Sequence, residues 1–334
     1  MRCSFDTVLA VAAVTAVALG CSRRAVQPQP AGLESIRQML TAPEEQIDLA
    51  KAKLIIDRVI DPSIDVANEL SQLDAIAQQV RSRLPASATS HEKIEALRAQ
   101  LYEAGPWNDN QPFRYDMNDP FGHTIHNKLL ATYLATKKGN CVSMPMLFIV
   151  LGQRLGIDVT AATAPEHIFV KYRDEAGALY NLETTSGAGF TSDGWIQRQM
   201  PMTPESLANG IYLRRLSKME TVVVMLGTLM EFYGQQNRQQ ERIELAQVAL
   251  EYSPKDVSAM LHIHSAYGRL VQQNFESKYA LTTEIPLEQR AYFRQLNDTG
   301  QLWRRKAEEL GWREPTEATN AQYEETVNAA RAAQ

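Results

Sequence analysis

Pro145 constrains the middle of this 334-residue chain more than any other residue. It heads the apolar run Met146-Leu-Phe-Ile-Val-Leu151, which leads on to Leu155-Gly156. A proline inside a helix removes a hydrogen bond and clashes with the preceding turn, so Pro145 belongs in or near a first turn. The helix therefore begins just after Cys141 and is closed by Gly156. From Ile157 the apolar period changes from helical to alternating. Residues 157–161, 167–173 and 179–184 then read as three short strands, the last two joined as a hairpin. A helix packed on a small antiparallel sheet is an α+β arrangement.

The same stretch carries reactive side chains. Cys141 stands at the helix mouth, where unsatisfied N–H groups and the positive dipole end favour a thiolate. An N–H near Val142 would hold an oxyanion. His167 opens the second strand, and Asn181 and Glu183 lie on the third. Parity decides whether they meet. A three-residue loop, Glu175-Ala176-Gly177, pairs Asp174 with Ala178 and sets His167 and Glu183 as diagonal neighbours on one face, with Asn181 beside them. A two- or four-residue loop would put them on opposite faces. Nucleophile, base and orienting group in this order suit thiol acyl-transfer chemistry.

The first twenty residues read as a signal. Arg2 precedes an apolar run, residues 7–19, too short to span a bilayer comfortably. Ala18-Leu19-Gly20-Cys21 resembles a bacterial lipobox, which implies cleavage before Cys21 and lipidation of its thiol. Ser22 in place of Asp resembles an outer-membrane sorting signal. Residues 21–43 then form a lipidated tether on the periplasmic face of the outer membrane. An uncleaved anchor or a secreted chain is the alternative. Three cysteines are present. With Cys3 removed and Cys21 lipidated, Cys141 is left as a free thiol in an oxidising compartment. A net charge of −5 and the lack of a basic run argue against nucleic acid as partner.

Flanking segments read as follows. Residues 44–60 form a helix stopped by Asp61-Pro62. Val66, Leu70, Leu73, Ala77, Val80 and Leu84 make one stripe of a second. Thr89 and Glu92 form a capping box for a third, bearing Ile94, Leu97 and Leu101. Residues 105–122 are loop, whose Trp107, Phe113, Tyr115 and Phe121 either line a cleft or pin the loop down. Residues 127–138 read as a helix with Gly139 as its left-handed stop. His123 and His126 lack further ligands at a usual spacing, so neither metal nor cofactor is predicted. Residues 190–202, with Trp195, border the cleft. Further on, Leu226, Tyr233, Ala249 and Pro254 fit a tetratricopeptide pattern, but Arg242 sits where a small residue is expected. One or two such repeats are too few to stand alone and are expected to pack on the core. His262 and His264, two apart on a helix, point different ways. Residues 314–334 form a polar tail.

Gly-Asn-Cys141-Val-Ser-Met, Pro-Glu-His167-Ile-Phe-Val-Lys-Tyr and Leu-Tyr-Asn181-Leu-Glu183-Thr together resemble the bacterial transglutaminase-like superfamily. The closer resemblance is to its SirB-type branch, in which lead-in helices precede an asparagine matching Asn127 and tetratricopeptide-like helices follow. The resemblance implies a papain-like α+β core over residues 44–204 and an all-α region over 205–313. It implies a Cys-His-acid triad acting on amide bonds, with Cys141 as nucleophile and His167 as base. Glu183 stands at the usual aspartate position, with Asn181 as its substitute and Asn127 and Val142 in support. Glu166 replaces a usual glycine. The implied activity is that of an envelope-anchored cysteine protease or amidase acting on a peptide or protein. An envelope protein would bind the C-terminal helices, and the lipid on Cys21 would hold the membrane. Many SirB-type relatives lack the cysteine, so a non-catalytic protein-binding scaffold is the alternative.

Overall fold

A computed structural model describes residues 31–317, together with 321 and 325. Cys3, Cys21 and the lipobox lie outside the described residues, as does most of the polar tail. Among the described residues no helix is long and apolar enough to cross a membrane.

Ala31–Leu40 is a helix (α1), not the end of a tether as expected. Ile36 and Leu40, one helical turn apart, are buried in the main core, and that burial fastens the segment. The next helix, α2 (Leu49–Ile60), starts later than expected because Asp48 caps it, accepting from the N–H groups of Ala50 and Lys51. Glu44, assigned to that helix from sequence, instead receives the N–H groups of Lys218 and Met219 at the start of a distant helix. A carboxylate there satisfies orphan donors and the dipole together. Helices α3 (Val66–Ser82) and α4 (Ser90–Tyr102) follow the predicted stripes, and the capping box of Thr89 and Glu92 is formed.

Residues 127–138 are not one helix. Ile125–Lys128 is a 3-10 turn and α5 spans Leu130–Thr136. Its left-handed stop is Lys137, with φ +55°, not Gly139. Gly139 belongs to a two-residue strand, β2 (Lys138–Gly139), parallel to β1 (Arg114–Tyr115). Its lack of a side chain has a steric cause: a Cβ there would lie 2.5 Å from Ser143 Oγ and 2.6 Å from the Tyr133 ring. Helix α6 (Ser143–Arg154) is the central element, buried from Ser143 through Gly152. It packs on α3, α4, α5 and the main sheet. That sheet is an antiparallel meander of β3 (Asp158–Ala164), β4 (His167–Arg173), β5 (Leu179–Glu183) and β6 (Gly189–Thr191).

After α7 (Asp193–Gln199) and α8 (Pro204–Ala208) the chain runs along the free edge of β3. The N–H groups of Leu213 and Leu216 donate to the carbonyls of Thr163 and Ala161, at 3.0 and 2.9 Å. Helices α9 (Lys218–Gln235), α10 (Gln239–Tyr252), α11 (Val257–Val271) and α12 (Arg290–Glu309) follow. Leu226, Leu229, Ala246 and Ile263 join the same core as α6, so this helical segment packs on the sheet-bearing part as expected. Lys53 Nζ and Asp57 Oδ1, both fully buried on α2, pair at 2.5 Å. Lys53 also donates to the Lys128 carbonyl, and Asp57 Oδ2 accepts the Leu130 N–H at 2.7 Å. The pair thus serves the start of α5, whose first N–H groups would otherwise be orphaned.

Candidate functional site

The β4–β5 hairpin has the register that parity requires. Asp174 N–H donates to Ala178 O at 3.0 Å, and Arg173, Tyr172, Lys171 and Val170 pair with Leu179, Tyr180, Asn181 and Leu182. Gly177 takes the left-handed position with φ +86°. Glu175 in the loop is also docked: its carboxylate accepts from the Ser90 N–H and, at 2.8 Å, from Ser90 Oγ, at the start of α4. His167 and Glu183 therefore share a face, and His167 Nε2 meets Glu183 Oε2 at 2.8 Å. Cys141 lines the same cavity as that imidazole and acts on it electrostatically.

Each member is held by its own surroundings. Cys141 is half-buried and is the free cysteine among the described residues. It lies two residues ahead of α6. The Ser143 hydroxyl donates to the Asn127 carbonyl at 2.8 Å and accepts the Asn140 N–H, which fixes where α6 starts. Glu183 Oε1 accepts from the N–H and hydroxyl of Thr185, at 3.0 and 2.6 Å, so this side chain caps its own 3-10 turn, Thr184–Ser186. Both carboxylate oxygens are thus engaged, and the extra methylene relative to aspartate is taken up by the turn.

The electrostatics of the trio follow from burial and pairing. The Glu183 side chain is 8% exposed. Burial raises its pKa, but the hydrogen bond and charge of His167 and the Thr185 donors outweigh burial, and the pKa is lowered. The His167 side chain is 14% exposed. Burial pulls its pKa down, whereas hydrogen bonds to Cys141 and Glu183 and the charge on both lift it to about 10. The ring is accordingly an imidazolium beside the Glu183 carboxylate at neutral pH.

Three expected supports take other roles. Asn181 is buried but donates to Asp193 Oδ1 at 2.7 Å, beside Lys171, and does not reach the imidazole. Asp193 lies in the first turn of α7, so Asn181 ties that helix to the sheet. The Val142 N–H is taken by Asn140 Oδ1 at 3.0 Å, so an Asx turn occupies the donor assigned to an oxyanion. Asn127 points its amide at Asp116 and Asp119, both at 3.0 Å, and touches the site only through its carbonyl on Ser143. Trp107 pins its loop by donating to Ala99 O and Glu103 O, and neither it nor Trp195 lines the cavity.

Cys141 and His167 open into a cavity of about 490 Å³, a size typical of small-molecule or short-peptide sites. Its walls come from β3, the edge segment at Ile211–Leu216 and helices α9 to α11. Glu166 lines it too, and its backbone has φ +54°. Pro165-Glu166 is the two-residue turn between Ala164 and His167, and the second position of such a turn calls for positive φ. The usual glycine at this place has that physical cause, and the glutamate bears the strain. His262 and Arg242 are further lining residues. The misfit of Arg242 to the helical-repeat pattern was its one trace in the sequence.

Residues 67–198 match the family model described as the transglutaminase-like superfamily, a span that includes Cys141, His167 and Glu183. The chain carries a transglutaminase-like domain. A UPF0162 protein of Xylella fastidiosa (strain 9a5c) is 21% identical over 236 residues, which cover 70% of this chain and 81% of that relative. No solved structure matches the chain. The transglutaminase-like domain thus takes in α3 through most of α7, and the cavity wall formed by α9 to α11 lies beyond the matched span.

Proposed function

We propose that this protein is a cysteine acyl-transfer enzyme of transglutaminase-like type that cleaves an amide bond, a protease or amidase. The observation that carries the reading is His167, bonded to Glu183 at 2.8 Å and lining one cavity together with Cys141. Cys141, as thiolate, attacks the carbonyl carbon of the amide, forming the S–C bond of a tetrahedral intermediate. The imidazolium of His167 gives its proton to the leaving nitrogen as the C–N bond breaks. Neutral His167 then takes a proton from water, whose oxygen attacks the thioester carbon, and the C–S bond breaks to release the acid and restore the Cys141 thiolate. Glu183 holds the ring and stabilises its charge. With the Val142 N–H engaged, the backbone N–H of Cys141 itself is the donor beside the developing oxyanion.

The helices α9 to α11 are, on this proposal, degenerate tetratricopeptide-like repeats of a SirB-type protein. The chain is placed in the bacterial envelope through a lipid on Cys21. Hydrolysis in the presence of the protein, lost in Cys141→Ala with an unchanged melting temperature, tests the chemistry. Rapid labelling of Cys141 by iodoacetamide at neutral pH tests the thiolate. A Cys141 that is unreactive, in a protein whose cellular phenotype survives Cys141→Ala, would leave a binding scaffold in place of an enzyme.

A further inference from the structure

The cavity that takes in Cys141 and His167 also takes in Arg242 of α10 and His262 of α11. Arg242 stands where helical repeats place a small side chain, and Gly234 on α9 makes the room. A Cβ at Gly234 would lie 3.1 Å from Arg242 Nη1 and 3.2 Å from Cζ. The guanidinium is aimed by its partners: Nε and Nη2 donate to His262 Nδ1 at 3.1 and 2.8 Å, and Nη1 to Ser265 Oγ at 3.2 Å. Two N–H groups remain, one on each Nη, to donate to a carboxylate.

Among the described residues no carboxylate forms an ion pair with Arg242. The acid that acts on it, Glu231, is engaged by Lys128. Burial lowers the pKa of Arg242, and Arg269 adds further positive charge. His262 is kept neutral, its pKa pushed down to about 3 by burial and then by the charges of Arg242 and Lys128. Accepting at Nδ1, a neutral His262 carries its proton on Nε2 and is a second donor. A partly buried cation whose acid partner is shared with Lys128 is costly unless something else supplies negative charge.

We propose that Arg242 and His262 form a carboxylate subsite, so that the amide presented to Cys141 belongs to a peptide with a free carboxylate. This rests on the acyl-transfer reading above and adds the substrate class. Acetyl-capped di- and tripeptides ending in a free carboxylate, and their carboxamide twins, are titrated calorimetrically into full-length Cys141→Ser protein. The acid binds about tenfold or more tighter than its twin, the scale of a charge-assisted hydrogen bond. Arg242→Gln abolishes that preference, whereas Arg242→Lys, which keeps the charge, retains part of it. Iodoacetamide labelling of Cys141 proceeds at the same rate with or without Arg242→Gln. Equal binding of the twins, binding of neither, or a preference that survives Arg242→Gln overturns the subsite. Slow labelling of Cys141 alongside a clear carboxylate preference overturns the acyl-transfer reading and leaves the subsite standing.

Discussion

Replacing Glu183 by glutamine removes one negative charge next to His167 and changes little in volume. The wild-type ring is lifted to about 10, roughly three units above an ordinary histidine. A unit charge about 4 Å away, at an effective dielectric constant of about 20, is worth ~4 kcal/mol, or ~3 pKa units. The amide adds a conflict, because Oε1 cannot accept from both Thr185 and His167 while its NH2 faces a ring N–H. His167 in Glu183→Gln therefore titrates about three pKa units lower, near 7. Side-chain nitrogen NMR of 15N-histidine-labelled protein, with six imidazoles to resolve, reads this directly. The alkaline limb of hydrolysis moves down by the same interval. The sign for stability follows from the raised pKa of His167. Its contribution is fully present below about 6.5 and is lost as pH rises through about 10. Glu183, with a lowered pKa, contributes above its ordinary value, and this is lost in acid. The difference in melting temperature between wild type and variant is thus widest from about pH 5 to 6.5 and closes toward 10. A wild-type His167 midpoint near 6.5, or a variant midpoint still near 10, refutes the reasoning.

Three further outcomes are expected. Lys53→Met leaves Asp57 buried without its partner, and denaturant titration should show a loss of about 3–5 kcal/mol, as for other broken buried pairs; a loss below about 1 kcal/mol would contradict that role. Glu166→Gly relieves a left-handed backbone and should raise stability by about 1 kcal/mol in the same assay, and a fall would mean the side chain has a structural contact that outweighs the strain. Gly139→Ala drives a Cβ into Ser143 and Tyr133 and should cost about 1–3 kcal/mol. Because Ser143 sets the start of α6, iodoacetamide labelling of Cys141 should slow as well; unchanged labelling would separate Gly139 from the site.

What the sequence determined about this protein was local and periodic. Pro145 dictated the start of α6, the shift of period at Ile157 announced the sheet, and the loop Glu175-Ala176-Gly177 set a register that brings His167 to Glu183. Capping, helix starts and strand parity depend on residues within a few positions of one another, so a sequence displays them. What only the tertiary structure decided came from long-range partners. Nothing near Glu44 reveals that it caps α9, and nothing near Asn181 that Asp193 claims its amide. Gly139 looked like a stop signal and proved to be a point of close approach to Tyr133 and Ser143. Arg242 looked like a flaw in a repeat. Its charge, the space left by Gly234 and the neutral His262 become one feature only when three helices pack together beside the thiol, because a cavity is made by elements whose separation along the chain carries no trace in the sequence.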